Sequence, residues 1–197
     1  MISAIIRADG SSVFAPGKRW GYFPSFSAGW VVTNEKFMES TQNWLEFLKV
    51  RAGWGQNGNK NAVDAFAYQA TFAYDAYSNY SFGSWNNGSG LTETQVGSSN
   101  LRWEKAKKAD IGIDARFLSG RLGVTFDWYE KKTKDLLLKV PVTPTTGFSE
   151  QLKNAGTVRN RGVELALNWN DRIGKDFTYG VNWNMAYNKN EVTEVNS

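Results

Sequence analysis

Apolar and polar residues alternate strictly along several stretches of the chain. Between 109 and 118 the apolar residues occupy the odd positions: Ala109, Ile111, Ile113, Ala115 and Phe117. Between 122 and 129 they occupy the even positions: Leu122, Val124, Phe126 and Trp128. A period of two is typical of a β-strand with one apolar and one polar face. The pattern therefore predicts two neighbouring strands joined near 119–120.

A two-residue turn at 119–120 fixes the pairing of these two strands. It places Phe117 opposite Leu122 and Ile113 opposite Phe126, so that apolar residues meet apolar partners on one face. The other face is polar and includes three carboxylates: Asp110, Asp114 and Asp127. The sequence therefore specifies a hairpin whose register is consistent along its whole length.

The same alternation recurs on both sides of this hairpin. In all it predicts antiparallel strands near 20–32, 46–56, 108–118, 121–131, 162–170 and 176–188, and the chain reads as beginning inside one strand and ending inside another. Each span is long enough for the ~9–11 residues of a tilted strand that crosses a bilayer. Three residues are expected to face lipid near the membrane midplane: Phe126, Leu165 and Val181. Their polar neighbours are expected to face a lumen: Asp127, Glu164 and Asn182.

The lengths of the connections alternate as well. Short turns lie near 119–120 and 174 and a moderate one at 33–43, whereas longer connections occupy about 57–100 and 140–156. Short turns at one end of a sheet and long loops at the other are typical of outer-membrane barrels, whose long loops are extracellular. The predicted fold is all-β, an antiparallel meander that forms a partial segment of a large transmembrane β-barrel over 1–197, with a long extracellular loop at about 57–100.

Alternation alone does not decide which face of the sheet is covered by protein. A soluble β-barrel or β-sandwich, such as a carbohydrate-binding module, turns its apolar face inward, and a membrane barrel turns it outward. Aromatic residues mark both ends of the apolar face: Phe117, Trp169 and Phe177 near the short turns, and Trp54, Trp103, Trp183 and Tyr187 toward the long loops. Two aromatic girdles favour the membrane barrel. The soluble module is the alternative.

Composition removes several classes of function. The 197 residues include no Cys and no His, which excludes disulfides, thiolate nucleophiles and imidazole bases. A net charge of +4 without a long basic run does not indicate nucleic-acid binding. Because Asp110, Asp114 and Asp127 share a polar face rather than an apolar pocket, solvation of a lumen explains them better than acid–base catalysis. We therefore expect no enzyme, no metal site and no cofactor.

The connection at 57–100 is rich in aromatic residues that are candidates for contact with a ligand or a partner protein. The group comprises Tyr74, Tyr77, Tyr80, Phe82 and Trp85. Exposed aromatic rings stack on sugars or pack in protein interfaces, although packing within the loop itself is the plainer interpretation.

Basic residues continue the apolar parity beyond the apolar stretch of each strand. The hairpin register places Lys107 opposite Lys132 and Lys105 opposite Lys134, and Arg159 and Arg161 occupy equivalent positions on the next hairpin. Cross-strand lysines repel each other unless anions lie between them. Lipopolysaccharide phosphates would supply those anions, and simple solvation of the strand ends is the alternative.

Several blocks of sequence resemble the barrel of the SusC/RagA family, and they occur in family order across nearly the whole chain. They are Arg-Ala-Asp-Gly-Ser-Ser at 7–12, Arg-Trp-Gly-Tyr-Phe-Pro-Ser-Phe-Ser-Ala-Gly-Trp at 19–30, Leu-Lys-Val-Arg-Ala-Gly-Trp-Gly-Gln-Asn-Gly at 48–58, Asn-Leu-Arg-Trp-Glu-Lys at 100–105, Ile-Gly-Ile-Asp at 111–114, Gly-Phe at 147–148 and Asn-Ala-Gly-Thr-Val-Arg-Asn-Arg-Gly-Val-Glu-Leu at 154–165. No single block is specific, but the ordered set is.

The resemblance implies a TonB-dependent transporter of the cell outer membrane in Bacteroidetes-type bacteria. Such a protein is expected to have a 22-stranded barrel, a plug domain through which TonB acts, and a SusD-like surface lipoprotein as its partner. It would import oligosaccharides or peptides. The sequence shows no signal peptide, plug, TonB box or terminal strand of that pattern, so we expect it to be a fragment of the barrel.

Overall fold

The alternating stretches form long strands in the computed structural model, which describes residues 1–82 and 85–195, with the side chains of 75–82 and 85–90 outside that description. The strands are β1 (Ile2–Gly10), β2 (Trp20–Val31), β3 (Leu45–Asn59), β4 (Thr71–Phe82), β5 (Trp85–Gln95), β6 (Glu104–Phe117), β7 (Leu122–Pro141), β8 (Glu150–Ile173) and β9 (Phe177–Val195). Short 3-10 helices occupy Val32–Asn34, Lys36–Thr41 and Pro144–Thr146. No helix in the described part of the chain is long and apolar enough to cross a bilayer.

The strands form two sheets. Seven of them make one antiparallel sheet in the order β1-β2-β3-β6-β7-β8-β9, and β4 pairs only with β5 in a separate hairpin. The large sheet is therefore a meander interrupted once, between β3 and β6, as the sequence predicts. All six predicted strands are present, and the strand-like segment at the start of the chain is β1.

The predicted register of the central hairpin is confirmed. Phe117 lies opposite Leu122 and Ile113 opposite Phe126. The reversal at 118–121 has positive φ at three consecutive residues, including 75° at Gly120. Because a slip of one residue would turn every apolar side chain to the other face, the alternation is sufficient to determine this pairing.

Beyond this hairpin, at the end of the sheet with the longer connections, β7 and β8 are longer than predicted. β7 continues to Pro141 and β8 begins at Glu150, so the connection expected over 140–156 shrinks to eight residues, 142–149. The register shifts between Thr133 and Leu136, and Asp135 has a φ of 57°. A bulge of this kind changes which face each later residue occupies. For that reason the alternation cannot be followed through it in the sequence.

The connection expected over 57–100 also contains regular structure. β3 extends to Asn59, and β4 and β5 form their hairpin within the segment. The pairing of β4 with β5 has three register shifts. β5 is composed largely of Gly, Asn, Ser and Thr. An irregular and mostly polar hairpin lacks the period of two on which strand prediction depends.

The apolar face of the large sheet is left open. It carries a cross-strand row formed by Val50, Ile113, Phe126, Leu165 and Met185. Trp30 is 51% exposed, Ile111 50% and Met185 46%. A β-sandwich or a soluble barrel would bury these side chains against a second layer. In the described residues, no second sheet covers them.

The expected position of Val181 along the strand direction, level with Phe126 and Leu165, is wrong. Phe126 lies opposite Leu165, as expected for two residues at the same level. Val181 is on the same face but lies opposite Trp169, four residues along β8 from Leu165 and nearer the short turn. Met185 is the β9 residue that lies level with Leu165.

The buried core of the chain lies outside the apolar face, at the end of the sheet that carries the longer connections. It comprises Phe14, Phe23, Val63, Ala67, Leu101, Trp103 and Leu137. The ring of Trp103 lies 5.1 Å from that of Phe14 and 5.7 Å from that of Phe23. The prediction that Trp103 belongs to a girdle on the apolar face is therefore wrong. Trp103 precedes β6, so the parity of that strand does not apply to it.

Candidate functional site

The polar face of the sheet carries an ordered network of charges. Arg51 donates from Nε to Asp114 Oδ2 at 2.9 Å and from Nη2 to Asp127 Oδ2 at 2.8 Å. The hydroxyl of Thr125 donates to Asp114 at 3.2 Å. One guanidinium thus holds together β3, β6 and β7. The pairing follows directly from the alternation, since all four residues have the polar parity of their strands.

Gly112 makes room for this network. It lies opposite Arg51 on β3 and opposite Asp127 on β7. A Cβ at this position would lie 2.7 Å from Arg51 Cζ and 2.5 Å from Asp127 Oδ1. Any larger residue would displace the guanidinium, so the glycine is a requirement of the ion pair rather than of the backbone.

Beside the network is an open recess of about 580 Å³ that is lined by side chains of both charges and by two amides. Its lining comprises Arg51, Lys108, Asp110, Asp127, Tyr129, Lys131, Asn160, Glu164 and Asn188. Arg51 contacts Asp114 and Asp127 and offsets part of their negative charge, which leaves a surface suited to hydrogen bonding and hydration. No group of three or more metal-ligating side chains occurs among the described residues.

The predicted aromatic residues all fall on the β4–β5 hairpin. Tyr74 lies opposite Leu91 and is 80% exposed. The side chains of Tyr77, Tyr80, Phe82 and Trp85 lie outside the described part, where the backbone pairs Tyr80 with Gly88 and Phe82 with Trp85. The structure therefore places the five residues on one element and leaves their role as a prediction.

The predicted basic residues come together on the apolar-parity side, above the apolar residues of β6, β7 and β8. We name this set, with Lys105, Lys107, Lys132, Lys134, Arg159 and Arg161, the basic rim. Lys107 lies opposite Lys132 and Lys105 opposite Lys134, as expected. Lys132 in turn lies opposite Arg159. The rim is thus a set of cross-strand rows rather than separate strand ends.

Sequence reasoning missed the part of the rim that β9 contributes. Arg159 Nη2 donates to Glu191 Oε2 at 2.7 Å, and Lys189 Nζ contacts the other oxygen of the same carboxylate. The Lys189 contact, followed by that of Arg159, lowers the pKa of Glu191 to about 2. Following the odd parity of β9 past Tyr187 would have identified both Lys189 and Glu191.

A second recess, of about 630 Å³, lies beside the buried core and was not predicted. Its lining includes Lys18, Arg102, Lys153 and Asn154. Lys18 Nζ donates to Asn100 Oδ1 at 2.7 Å, and Arg102 forms an ion pair of 2.7 Å with Asp135. These contacts join residues 33 to 82 positions apart. No local pattern in the sequence indicates pairings over such separations.

Comparison with known families and proteins gives one consistent result. Residues 2–197 match the family described as TonB dependent receptor-like, beta-barrel. The TonB-dependent receptor SusC of Bacteroides thetaiotaomicron is 37% identical over 192 residues, which cover 96% of this chain and 19% of SusC. The TonB-dependent receptor P39 of Formosa agariphila is 36% identical over 99% of this chain and 18% of its own length. The chain thus spans about a fifth of the length of these curated relatives.

Solved structures agree with the sequence matches. The RagAB peptide importer in its closed-closed state superposes over 100% of this chain and 21% of its own, with a TM-score of 0.86 at 30% identity. The siderophore receptor PirA of Pseudomonas aeruginosa superposes with a TM-score of 0.55 at 16% identity, which shows a shared fold alone.

Proposed function

Because the chain belongs to the TonB-dependent receptor-like β-barrel family, we propose that it forms part of the wall of an outer-membrane importer. In this proposal the apolar face contacts lipid and the polar face lines the lumen. The long-connection end, with the buried core and the β4–β5 hairpin, lies outside the cell. The complete transporter would import oligosaccharides or peptides, with TonB acting through a plug domain and a SusD-like lipoprotein as partner.

The observation that supports this proposal most strongly is the contrast between the two faces. Large apolar side chains such as Trp30 and Met185 are about half exposed on one face. On the other face Arg51 is satisfied by two carboxylates. A sheet with this distribution is stable only if a nonpolar medium covers the first face and water or polar protein covers the second.

The mixed charge of the polar face favours a polar molecule as the imported substrate. A wall with lysines, carboxylates and asparagines offers donors and acceptors to sugar hydroxyls and to peptide groups alike. The similarity to the RagAB peptide importer supports peptides, and the resemblance of the sequence blocks to the SusC/RagA family keeps oligosaccharides in the proposal. Tyr74 and the other hairpin aromatics are proposed to contact the ligand or the lipoprotein, because an exposed ring provides a large apolar area at low entropic cost.

Import is tested by deleting the full-length gene in its own bacterium. We expect the deletion strain to stop depleting either an oligosaccharide pool or a peptide pool that the parent consumes, as followed by mass spectrometry of the medium. The tagged full-length protein should be recovered from the outer membrane with a surface lipoprotein. Unchanged depletion of both pools, or recovery in the soluble fraction, would contradict the proposal.

The hairpin is tested by complementing the deletion strain with point variants. Tyr74→Ala should reduce uptake or lipoprotein recovery, whereas Glu93→Ala on the facing strand should restore both. Glu93 is a suitable control because it is exposed and belongs to the same hairpin. Equal complementation by the two variants would remove Tyr74 from the proposed contact surface.

A further inference from the structure

The basic rim lies directly above the apolar band of the sheet. On β7 the apolar parity passes from Trp128 through Glu130 to Lys132, and on β6 from Ile111 through Ala109 to Lys107. Aromatic residues such as Trp128 are typical of the level at which a barrel meets the headgroups. A molecule bound to the rim must therefore present an anion at this level and apolar chains immediately below it.

The rim has more positive charge than its own carboxylates neutralise. Within the described strands β6 to β9 it contains the six predicted basic residues and Lys189, and three carboxylates share this side: Glu130, Glu191 and Glu194. Glu191 accepts contacts from Lys189, Arg159 and Arg161. One carboxylate therefore serves three of the cations.

Lys107 and Lys132 contribute directly to this excess of positive charge. They lie directly opposite each other, and neither forms an ion pair in the part of the chain that the structure describes. Opposed side chains have Cβ atoms roughly 4.5–5.5 Å apart, a separation at which like charges destabilise the pairing. Next to them the buried Nε of Arg159 lacks a hydrogen-bond acceptor. The row thus has an excess of donors over acceptors.

We propose that Lys107 and Lys132, with Arg159 beside them, bind a phosphate group of lipopolysaccharide in the outer leaflet. Two ammonium groups and a guanidinium that converge on one phosphate form charge-assisted hydrogen bonds, and the bound anion removes the repulsion between the lysines. The acyl chains of the same molecule then lie against the apolar residues below. This inference depends on the proposed function for the orientation of the sheet in the outer membrane.

The same two strands provide a matched control. Lys108 lies opposite Lys131, one residue along from the proposed pair and on the polar face. There Lys108 Nζ is 3.6 Å from Asp110 Oδ1. Charge reversal at Lys108 and Lys131 alters the net charge of the protein by the same amount and at the same level, but on the side that faces the lumen.

The test uses the full-length transporter, purified from the outer membrane in mild detergent, with bound lipopolysaccharide measured by native mass spectrometry. The Lys107→Glu/Lys132→Glu variant should retain at most roughly one tenth of the lipopolysaccharide that wild type retains. The Lys108→Glu/Lys131→Glu variant should retain the wild-type amount. Both variants must keep the heat-dependent gel shift of a folded barrel. Equal retention by the two double variants, or equal loss, would overturn the proposal.

A single substitution keeps the proposal testable if the double variant does not fold. Lys107→Glu creates a favourable pair with Lys132, so it should raise the unfolding temperature in lipid-free detergent. With added lipopolysaccharide, wild type should gain stability and the variant should not. Stabilisation of both proteins to the same extent would contradict a phosphate site at this pair.

The source of the phosphate is distinguished with added lipids. In phosphatidylcholine vesicles, lipid A that carries its phosphates should stabilise the wild-type transporter, whereas dephosphorylated lipid A, phosphatidylglycerol and inorganic phosphate should not. A response to inorganic phosphate or phosphatidylglycerol equal to that of lipid A would overturn the assignment to lipopolysaccharide. Absence of the wild-type protein from the outer membrane would instead contradict the proposed function.

Discussion

Arg51 connects three strands on the polar face. Its contribution to stability can be measured as a coupling free energy with the carboxylates that it contacts. The guanidinium contacts Asp114 and Asp127 and is about one-third exposed, at 34%. Partly exposed ion pairs contribute less than buried ones because solvent screens them. We expect Arg51→Met to cost about 1 kcal/mol in the unfolding of the full-length barrel, mainly because two carboxylates then face each other unneutralised.

A double-mutant cycle separates this coupling from packing. Asp127→Asn should recover part of the loss when it is combined with Arg51→Met, although it destabilises wild type when made alone. Lys131→Met, also on the polar face, serves as the control and should have a smaller effect. Strictly additive costs for Arg51→Met and Asp127→Asn would show that the network does not act as a unit.

Gly58 is a second residue whose role follows from close contact. A Cβ there would lie 2.1 Å from Cζ of the buried Phe23 ring. We expect Gly58→Ala to destabilise the loop-end core by about 1–3 kcal/mol through overpacking. Gly29→Ala is the control, since its Cβ would approach only the side chain of Lys49, at 3.4 Å.

A second substitution tests whether contact with the Phe23 ring causes the loss of stability in Gly58→Ala. Phe23→Leu should rescue part of the Gly58→Ala loss, as measured by protease resistance of the loop end in the folded transporter. If Gly58→Ala and Gly29→Ala behave alike, the ring of Phe23 does not depend on the glycine.

At the scale of elements, strand pairing is the property that the sequence predicts best. In the hairpin of β6 and β7 the four apolar residues at odd positions from Ile111 to Phe117 each lie opposite an apolar residue of β7, so a single register satisfies this pattern. The prediction failed wherever the period of two was broken. Because of the bulge at Asp135, the alternation did not predict the parts of β7 and β8 that lie beyond it, toward residues 142–149. Because β5 is mostly polar, the alternation did not predict the β4–β5 hairpin.

The candidate site was likewise predictable only in part. The basic rim was predictable because it continues the parity of the strands that carry it. The core around Phe14 and Trp103 was not, because its members come from five separate segments between residues 14 and 137. Long-range packing of this kind depends on how the connections fold back, which alternation does not encode.

The ion pairs between β8 and β9 predict a dependence on pH. The pKa of Glu191 is lowered from 4.5 to about 2 in the folded protein, first by Lys189 and then by Arg159. A lowered folded-state pKa contributes stability above pH 4.5 and loses it as the pH falls toward 2. The difference in unfolding free energy between wild type and Glu191→Gln should therefore shrink over this interval. A difference that stays constant from pH 6 to pH 2 would contradict the ion-pair assignment.

At the scale of the whole molecule, the open sheet determines how the chain behaves alone. In the described structure β1 and β9 are edge strands, each paired on one side only. Unpaired backbone groups cost several kcal/mol each in a bilayer, and in water the apolar face promotes aggregation. We expect the 197-residue chain expressed alone to form no stable monomer in buffer or in lipid vesicles. A monodisperse, cooperatively melting monomer in plain buffer would contradict this expectation.

The two faces should also differ in their tolerance of an introduced charge. Phe126→Arg should cost about 2–4 kcal/mol in the full-length barrel, because it places a cation in lipid near the midplane. Thr125→Arg, on the adjacent position and beside Asp114, should fold almost as well as wild type. The sequence alone suggests Asp127 as the tolerant site, but its ion pair with Arg51 makes Thr125 the better control. Equal yields of folded barrel from the two variants would count against the assignment of faces.

The orientation of the sheet is tested most directly by spin labelling of β7 in the full-length transporter. This segment contains no Cys, so single cysteines can be placed at 122 to 129 without removing native ones from it. Even positions should be accessible to oxygen, which dissolves in lipid, and odd positions to a water-soluble nickel complex, with a period of two. Access of the nickel complex to the even positions, or the absence of any alternation, would contradict a lipid-facing apolar surface.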